Sequence, residues 1–328
     1  MLRKDDTMNR YIIKRLLLSI PVLLGATFLV FTIMDFAPGD PAKIILGSSA
    51  TEEALMLKRA ELGLDRPFFV RYGSFIINLL RGNMGLSYRN GQEVTKLIFG
   101  RLTNTLLLAS LGMLFAVIVG IPVGIISAVK QYSMLDKVTM VLTLFFMSVP
   151  TFWFGMILVL VFALHLGWLP PSGMSHGFPD IFKSLVLPTI TLGFGYAALI
   201  ARTTRSSVLE VMRQDYIDMA RSKGITERKV IWRHMMKNAL IPIVTVIGLN
   251  FGTLLGGSVL TESIFSWPGV GRFVVESISF KDTPSVLGSV VTLALLFSAV
   301  NLIVDILYSF LDPRIKSQYR THKRGNSI

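Results

Sequence analysis

The chain has 328 residues, of which 52% are apolar, 16% are charged and none is cysteine, and its mean hydropathy is +0.60. A chain this hydrophobic with so few charges does not stay dissolved as a soluble enzyme, so the composition places it in a membrane. The lack of cysteine excludes disulfides, thiolate metal sites and cysteine nucleophiles. The formal charge of +13 would suit nucleic acid. Lysine and arginine also gather in the inner loops of membrane proteins, however, so their positions decide what the charge means.

Six stretches without charged residues are long enough to cross a bilayer, which takes about 20 residues in a helix. The predicted spans, some of which extend past an uncharged stretch by a few residues, cover about residues 11–34, 104–129, 138–164, 184–202, 239–261 and 285–308. We therefore predict an all-α integral membrane protein with three parts. The first span and a long extracytoplasmic segment occupy 1–103, a core of five spans occupies 104–311, and a cytoplasmic tail occupies 312–328.

The distribution of positive residues predicts the orientation. Twenty-one Lys and Arg fall on the side of the N-terminus, against three in the two short loops on the other side. By the positive-inside rule, we expect both termini to lie in the cytoplasm. Nucleic-acid binding loses its support, because this bias is expected of any multi-pass topology.

The long outer segment after the first span contains two stretches with helical spacing of apolar residues. In the second stretch, Phe68, Tyr72, Phe75 and Leu79 fall on one side. We expect short amphipathic helices that lie on the outer face of the membrane.

One inner loop, 203–238, is larger than crossing the membrane requires. From Arg202 to Lys237 it holds nine basic and four acidic residues. Its pattern predicts two short helices separated by Gly224, since glycine often ends a helix in the left-handed conformation. Such a helix–glycine–helix unit at the cytoplasmic surface is typical of a docking element.

This loop carries a resemblance to a known family. The run Asp218-Met219-Ala220-Arg221-Ser222-Lys223-Gly224 resembles the EAA loop of permease subunits in binding-protein-dependent ABC importers, with Asp and Met in place of the usual Glu and first Ala. Pro38-Gly39-Asp40-Pro41-Ala42 and the run from Glu262 to Arg272 are similar to the first permease subunit of the dipeptide, oligopeptide and nickel branch.

The resemblance implies a type I ABC importer permease fold with six spans and a coupling helix that fits a groove on a cytoplasmic ATPase. Ala220 and Gly224 would be small because a partner backbone comes close, and the basic residues would form polar rim contacts. The alternative is a basic loop that rests on anionic lipid. The residues implied for the ATPase contact are Tyr216, Asp218, Ala220, Arg221, Lys223, Gly224 and Arg228.

The resemblance also implies a prokaryotic cytoplasmic (inner) membrane and partners on both sides of it. These are a homologous second permease, two ATPase subunits and an extracytoplasmic substrate-binding protein, which would dock near Trp267, Pro268 and Gly269. The alternative for this turn is an interfacial tryptophan anchor in the lipid. The residues that line the substrate pathway stay unassigned.

Two common enzyme motifs are missing from the chain. No Gly-Lys dipeptide occurs, which excludes a phosphate-binding P-loop, and HExxH is absent. We expect no cofactor or metal on this chain, with ATP and Mg²⁺ bound by the partner subunits. Asp305 is the one acid within a predicted span, and its depth favours a structural pair with a residue such as Arg314 over a substrate site.

The sequence therefore predicts a permease subunit that forms half of the pathway for di- or oligopeptides. One alternative is the same machine importing nickel or another small solute. A second is a secondary transporter driven by an ion gradient, which would favour more acids within the spans. A scaffold without a transport role is a third.

Overall fold

The structure is a computed structural model that describes residues 5–47, 49–175 and 177–311. Its regular elements over these residues are helices, apart from one isolated antiparallel bridge between Leu86 and Glu93. The helices are α1 (Asp5–Phe36), α2 (Pro41–Leu46), α3 (Glu52–Glu61), α4 (Phe68–Leu80), α5 (Val94–Val129), α6 (Met134–Ser148), α7 (Thr151–Leu158), α8 (Asp180–Met212), α9 (Asp215–Ser222), α10 (Glu227–Lys229), α11 (Met236–Ile264), α12 (Val270–Ser279) and α13 (Thr283–Leu311). Two π-helical segments, Val159–His165 and Val230–Met235, continue α7 and join α10 to α11.

Five helical stretches are long and apolar enough to span a membrane, and they overlap five of the predicted spans. They are Leu17–Phe36, Val94–Val129, Asp180–Met212, Glu227–Ile264 and Thr283–Val304. The all-helical membrane fold predicted from the sequence is thus confirmed.

The remaining predicted span, 138–164, is not a single helix. It consists of α6 and α7 with its π-helical extension, which are bent by 103°. The break lies at Val149 and Pro150, both in an extended conformation. Pro150 has no backbone N–H and disfavours a helical conformation at the residue before it, so the helix ends there.

The chain divides into two compact units. The first contains residues 1–106 and 266–298, and the second contains 107–265 and 299–328, of which the structure describes 299–311. The sequence prediction separated the N-terminal part at residue 103 but did not assign 266–298 to it. Residues 266–298 belong to the first unit because they contact residues of 1–106 that are distant in the chain.

In the first unit, two adjacent residues between α12 and α13 hold the outer segment. Lys281 is 8% exposed and its Nζ donates to the carbonyl oxygen of Ala37 at 2.6 Å. Asp282 is 2% exposed and accepts from Ser87 Oγ at 2.5 Å and from the Tyr88 N–H at 3.0 Å. Burial, followed by the charge of Asp282, raises the pKa of Tyr88 to about 12.

In the second unit, glycines let α5 cross close to α8. A Cβ on Gly120 would lie 2.7 Å from the carbonyl oxygen of Ala197, and a Cβ on Gly124 would lie 2.5 Å from that of Ala201. These small residues therefore serve packing within the chain. On α11, by contrast, a Cβ on Gly256 would meet nothing within 4 Å.

Candidate functional site

The inner loop lies in the second unit, between α8 and α11. The first predicted helix of the loop is interrupted, because α8 ends at Met212 and α9 begins at Asp215. Beneath α9, Ile217 and Ala220 pack with Val230 and Met235 in a cluster whose members are at most 6% exposed. The loop is thus a folded unit on its own apolar base.

Ala220 lies in this cluster and is only 6% exposed, so its side chain contributes to packing within the chain. Its contact with an ATPase stays a prediction.

Gly224 ends α9 as predicted. Its φ is +73°, its N–H donates to the carbonyl oxygen of Arg221 at 2.9 Å, and the N–H of Ile225 donates to that of Ala220 at 3.4 Å. These bonds are typical of a glycine C-cap. A Cβ on Gly224 would meet nothing within 4 Å. The backbone conformation, rather than crowding within the chain, therefore requires glycine here.

Arg221 of α9 forms an ion pair with Glu227 of α10, on the other side of Gly224. Its guanidinium donates to Glu227 Oε1 at 2.8 Å and to Oε2 at 3.2 Å, and it lies 3.6 Å from Asp218 Oδ1. Hydrogen bonding to Glu227 raises the pKa of Arg221, which keeps the guanidinium charged. The side chains of Lys223 and Arg228 are exposed.

The face of the loop that points away from the buried cluster carries large side chains. Met219 is 59% exposed and Tyr216 is 39% exposed, while the Tyr216 hydroxyl accepts a hydrogen bond from Asn238 Nδ2 at 2.7 Å. Trp232, in the π-helical segment, is 61% exposed. Met219 and Trp232 are not among the candidate residues that the sequence pattern indicated. A large apolar side chain inside a charged run is the signal that would have found them.

A buried ion pair joins α8 to the first turn of α6. Asp136 is 3% exposed, and Arg205 donates to both of its carboxylate oxygens at 2.7 and 2.9 Å. Ser127 Oγ and the Tyr132 N–H donate to the same carboxylate at 2.5 and 3.0 Å. Because α8 leads directly into the loop, this pair fixes the point where the loop begins to α5 and α6.

The outer turn is held inside the first unit. Trp267 is fully buried, and its Nε1 donates to the carbonyl oxygen of Asn104 at 3.0 Å. Asn104 Nδ2 donates in turn to the carbonyl oxygen of Pro268 at 2.9 Å, and Gly269 is buried. The indole is an internal anchor of the turn in this structure. The Asp305 side chain, Arg314 and the tail 312–328 lie outside the described residues.

Comparison with known proteins gives the relatives of this chain. Residues 120–317 match the family model for the binding-protein-dependent transport system inner membrane component, and residues 8–109 match its N-terminal companion. A dipeptide transport system permease protein (DppB) of Alkalihalophilus pseudofirmus is 42% identical over 94% of this chain and 100% of its own length. A glutathione transport system permease protein (GsiC) of Escherichia coli K12 is 40% identical over 94% of this chain and 99% of its own length.

Solved structures agree at the level of the fold. Two crystal forms of the inward-facing MetNI methionine ABC transporter match with TM-scores of 0.54 and 0.55 at 18% identity, covering 66% of this chain and 96% of that chain. This likeness confirms the type I permease fold predicted from the sequence. From the family model and the two relatives together, the chain belongs to the family of inner membrane permease components of binding-protein-dependent transport systems.

Proposed function

We propose that this chain forms half of the translocation pathway for di- or oligopeptides in an ATP-driven importer and couples to ATPase subunits through the loop 203–238. The observation that carries the proposal is the exposed face of α9, where Met219 and Tyr216 lie above a buried apolar cluster. Exposed apolar side chains on such a support are suited to fill a partner's groove. The peptide cargo is supported by the names of the dipeptide and glutathione permease relatives.

In this proposal, the inner membrane holds the chain beside a homologous second permease, with both termini in the cytoplasm. Two ATPase subunits bind ATP and Mg²⁺ and dock on the loop, where Asp218, Lys223 and Arg228 form the polar rim around Met219. Closure of the ATPases would move the loop and shift the pathway between inward and outward access.

On the outside, a substrate-binding protein docks near Trp267, Pro268 and Gly269. Because the Trp267 side chain is buried, its part in docking would be to hold the turn in shape. The contact itself would come from the exposed surface around the turn.

A charge placed on the outward face of α9 tests the coupling. The variant Met219→Asp is compared with Met56→Asp, because both methionines are 59% exposed and Met56 lies on α3 in the outer segment. A buried hot spot contributes about 2 kcal/mol or more, so Met219→Asp should weaken ATPase binding by more than about tenfold. The measurements are co-purification of the ATPase subunits and ATP-dependent uptake of a labelled dipeptide into vesicles.

The control variant should keep both properties. If Met219→Asp retained its ATPase subunits and its uptake, α9 would not be the coupling element. Uptake of nickel without uptake of dipeptide would favour the small-solute alternative. Uptake that needs an ion gradient and no ATP would favour a secondary transporter.

A further inference from the structure

Helix α4 (Phe68–Leu80) has a broad apolar face and one narrow polar stripe, formed by Arg71, Ser74 and Asn78. Its thirteen residues include one charged residue, Arg71. The side toward α1 carries Phe68 and Tyr72, and the opposite side exposes Phe69 (75%), Ile77 (53%) and Leu80 (82%). A broad apolar face beside a narrow polar stripe suits a helix that lies in the membrane interface with its apolar side chains among the acyl chains.

The contacts of α4 set its depth along α1. The Tyr72 hydroxyl donates to the carbonyl oxygen of Leu24 at 3.0 Å and lies 3.1 Å from Thr27 Oγ1. Leu24 lies within the apolar stretch Leu17–Phe36. At 1.5 Å per residue it is about 18 Å from the Phe36 end, which is more than half of a hydrocarbon core of about 30 Å. The Tyr72 side chain is shorter than about 18 Å, so the backbone of α4 must itself lie below the Phe36 end of α1. Helix α4 is therefore at the depth of the membrane leaflet at that end.

The polar groups of α4 fit this placement. Arg71 pairs with Asp35 at 2.6 Å, where the apolar stretch of α1 ends. The Tyr72 hydroxyl is satisfied by the main chain of α1, as a hydroxyl in hydrocarbon requires. Arg81 follows the last residue of α4, and a long arginine there reaches the headgroups while its stem stays in lipid.

The exposed surface of α1 itself continues this apolar face. Val22, Leu29 and Ile33 are 69%, 58% and 57% exposed within the stretch that spans the membrane. Helix α3 differs, because its exposed Met56 and Leu57 stand among charged residues.

We propose that α4 is immersed in the leaflet at the Phe36 end of α1, with Phe69, Ile77 and Leu80 in contact with lipid acyl chains. The helix expected on the outer face of the membrane is then part of the membrane domain. The proposal rests on α1 crossing the membrane and is independent of the cargo and of the ATPases.

Spin labelling tests this placement directly, because the chain contains no cysteine that would compete for the label. Single variants Ile77→Cys and Leu80→Cys receive a nitroxide in the full chain, assembled with its partners in phosphatidylethanolamine–phosphatidylglycerol vesicles. Ile33→Cys on α1 is the lipid-facing control. Leu57→Cys on α3, which is 69% exposed, is the water-facing control. Power saturation then compares collisions with oxygen, which concentrates in lipid, and with a neutral nickel chelate, which stays in water.

At Ile77 and Leu80 we expect a several-fold excess of oxygen over nickel accessibility, as at Ile33, and the reverse at Leu57. Nickel accessibility at Ile77 and Leu80 equal to that at Leu57 would overturn the proposal in favour of a surface helix. Protection from both reagents would overturn it in favour of a protein partner on this face. Dipeptide uptake by the same variants is measured separately, so a transport defect with an intact lipid signal bears only on the proposed function.

Discussion

Gly224 combines a left-handed backbone with free space around its Cα, and these two properties respond to different substitutions. The φ of +73° disfavours every residue with a Cβ, and β-branched residues most of all. Asparagine tolerates this conformation better than alanine or valine although it is larger than alanine. A series of substitutions therefore separates conformation from size.

We predict that coupling falls in the order Gly224→Asn, Gly224→Ala, Gly224→Val. A left-handed conformation costs about 1–2 kcal/mol for an ordinary residue, which would displace Lys223 and the start of α10 relative to α9. The measurement is dipeptide-stimulated ATP hydrolysis in vesicles. If Gly224→Ala were less impaired than Gly224→Asn, close approach of a partner would be the reason for the glycine.

The same loop shows which features can be predicted from neighbouring residues and which depend on tertiary packing. The position of Gly224 and the end of the helix before it follow from local rules, so the sequence indicates them. The burial of Ala220 depends on Val230 and Met235, which approach it only after the chain has turned at Gly224. A pattern confined to one helix does not contain that information.

At the scale of elements, the ion pair between Asp136 and Arg205 joins α6 to the end of α8. The partners are 69 residues apart and neither stands in a motif, so the sequence does not indicate that they pair. The bend between α6 and α7 follows from Pro150, which was visible, but the angle of 103° depends on packing. The break of a helix is a local property, whereas its geometry is not.

We predict that Asp136→Ala strongly destabilises the permease. Removing one partner of a buried ion pair costs about 3–5 kcal/mol, because the Arg205 guanidinium then loses its carboxylate. The matched control is Asp180→Ala, since Asp180 pairs with Lys183 on the same helix α8 but both side chains are more than half exposed. Exposed pairs contribute about 0–1 kcal/mol.

Thermal unfolding of the purified complex, followed by loss of monodisperse protein, compares the two variants. Asp136→Ala should unfold well below the parent, and Asp180→Ala should match it. Equal midpoints for both variants would show that the Asp136 pair does not hold the base of the loop.

At the scale of the whole molecule, the first unit is assembled from two distant parts of the chain, 1–106 and 266–298. Asp282 joins them by accepting hydrogen bonds from Ser87 and Tyr88. Each buried donor left without an acceptor costs about 1–3 kcal/mol. The outer segment therefore depends on a residue almost two hundred positions later.

We predict that Asp282→Ala loosens the outer segment around residues 81–96. Trypsin added to vesicles with this face outward should cleave there several times faster than in the parent, since Arg81, Arg89 and Lys96 lie next to the released contacts. Glu276→Ala is the control, because Glu276 belongs to a half-exposed pair with Arg272. Unchanged cleavage in Asp282→Ala would mean that other contacts hold the segment.

The bond from Lys281 to Ala37 also imposes an order on biogenesis. The two residues are separated by 244 positions. At the usual translation rates of about 5–20 residues per second, Ala37 waits about 12–50 s for its partner to leave the ribosome. The outer segment is incomplete during that interval and, in the proposed orientation, exposed to extracytoplasmic proteases and chaperones. A chain released before residue 281 would therefore carry an unfinished N-terminal half, which quality control would recognise even though its first spans were already inserted.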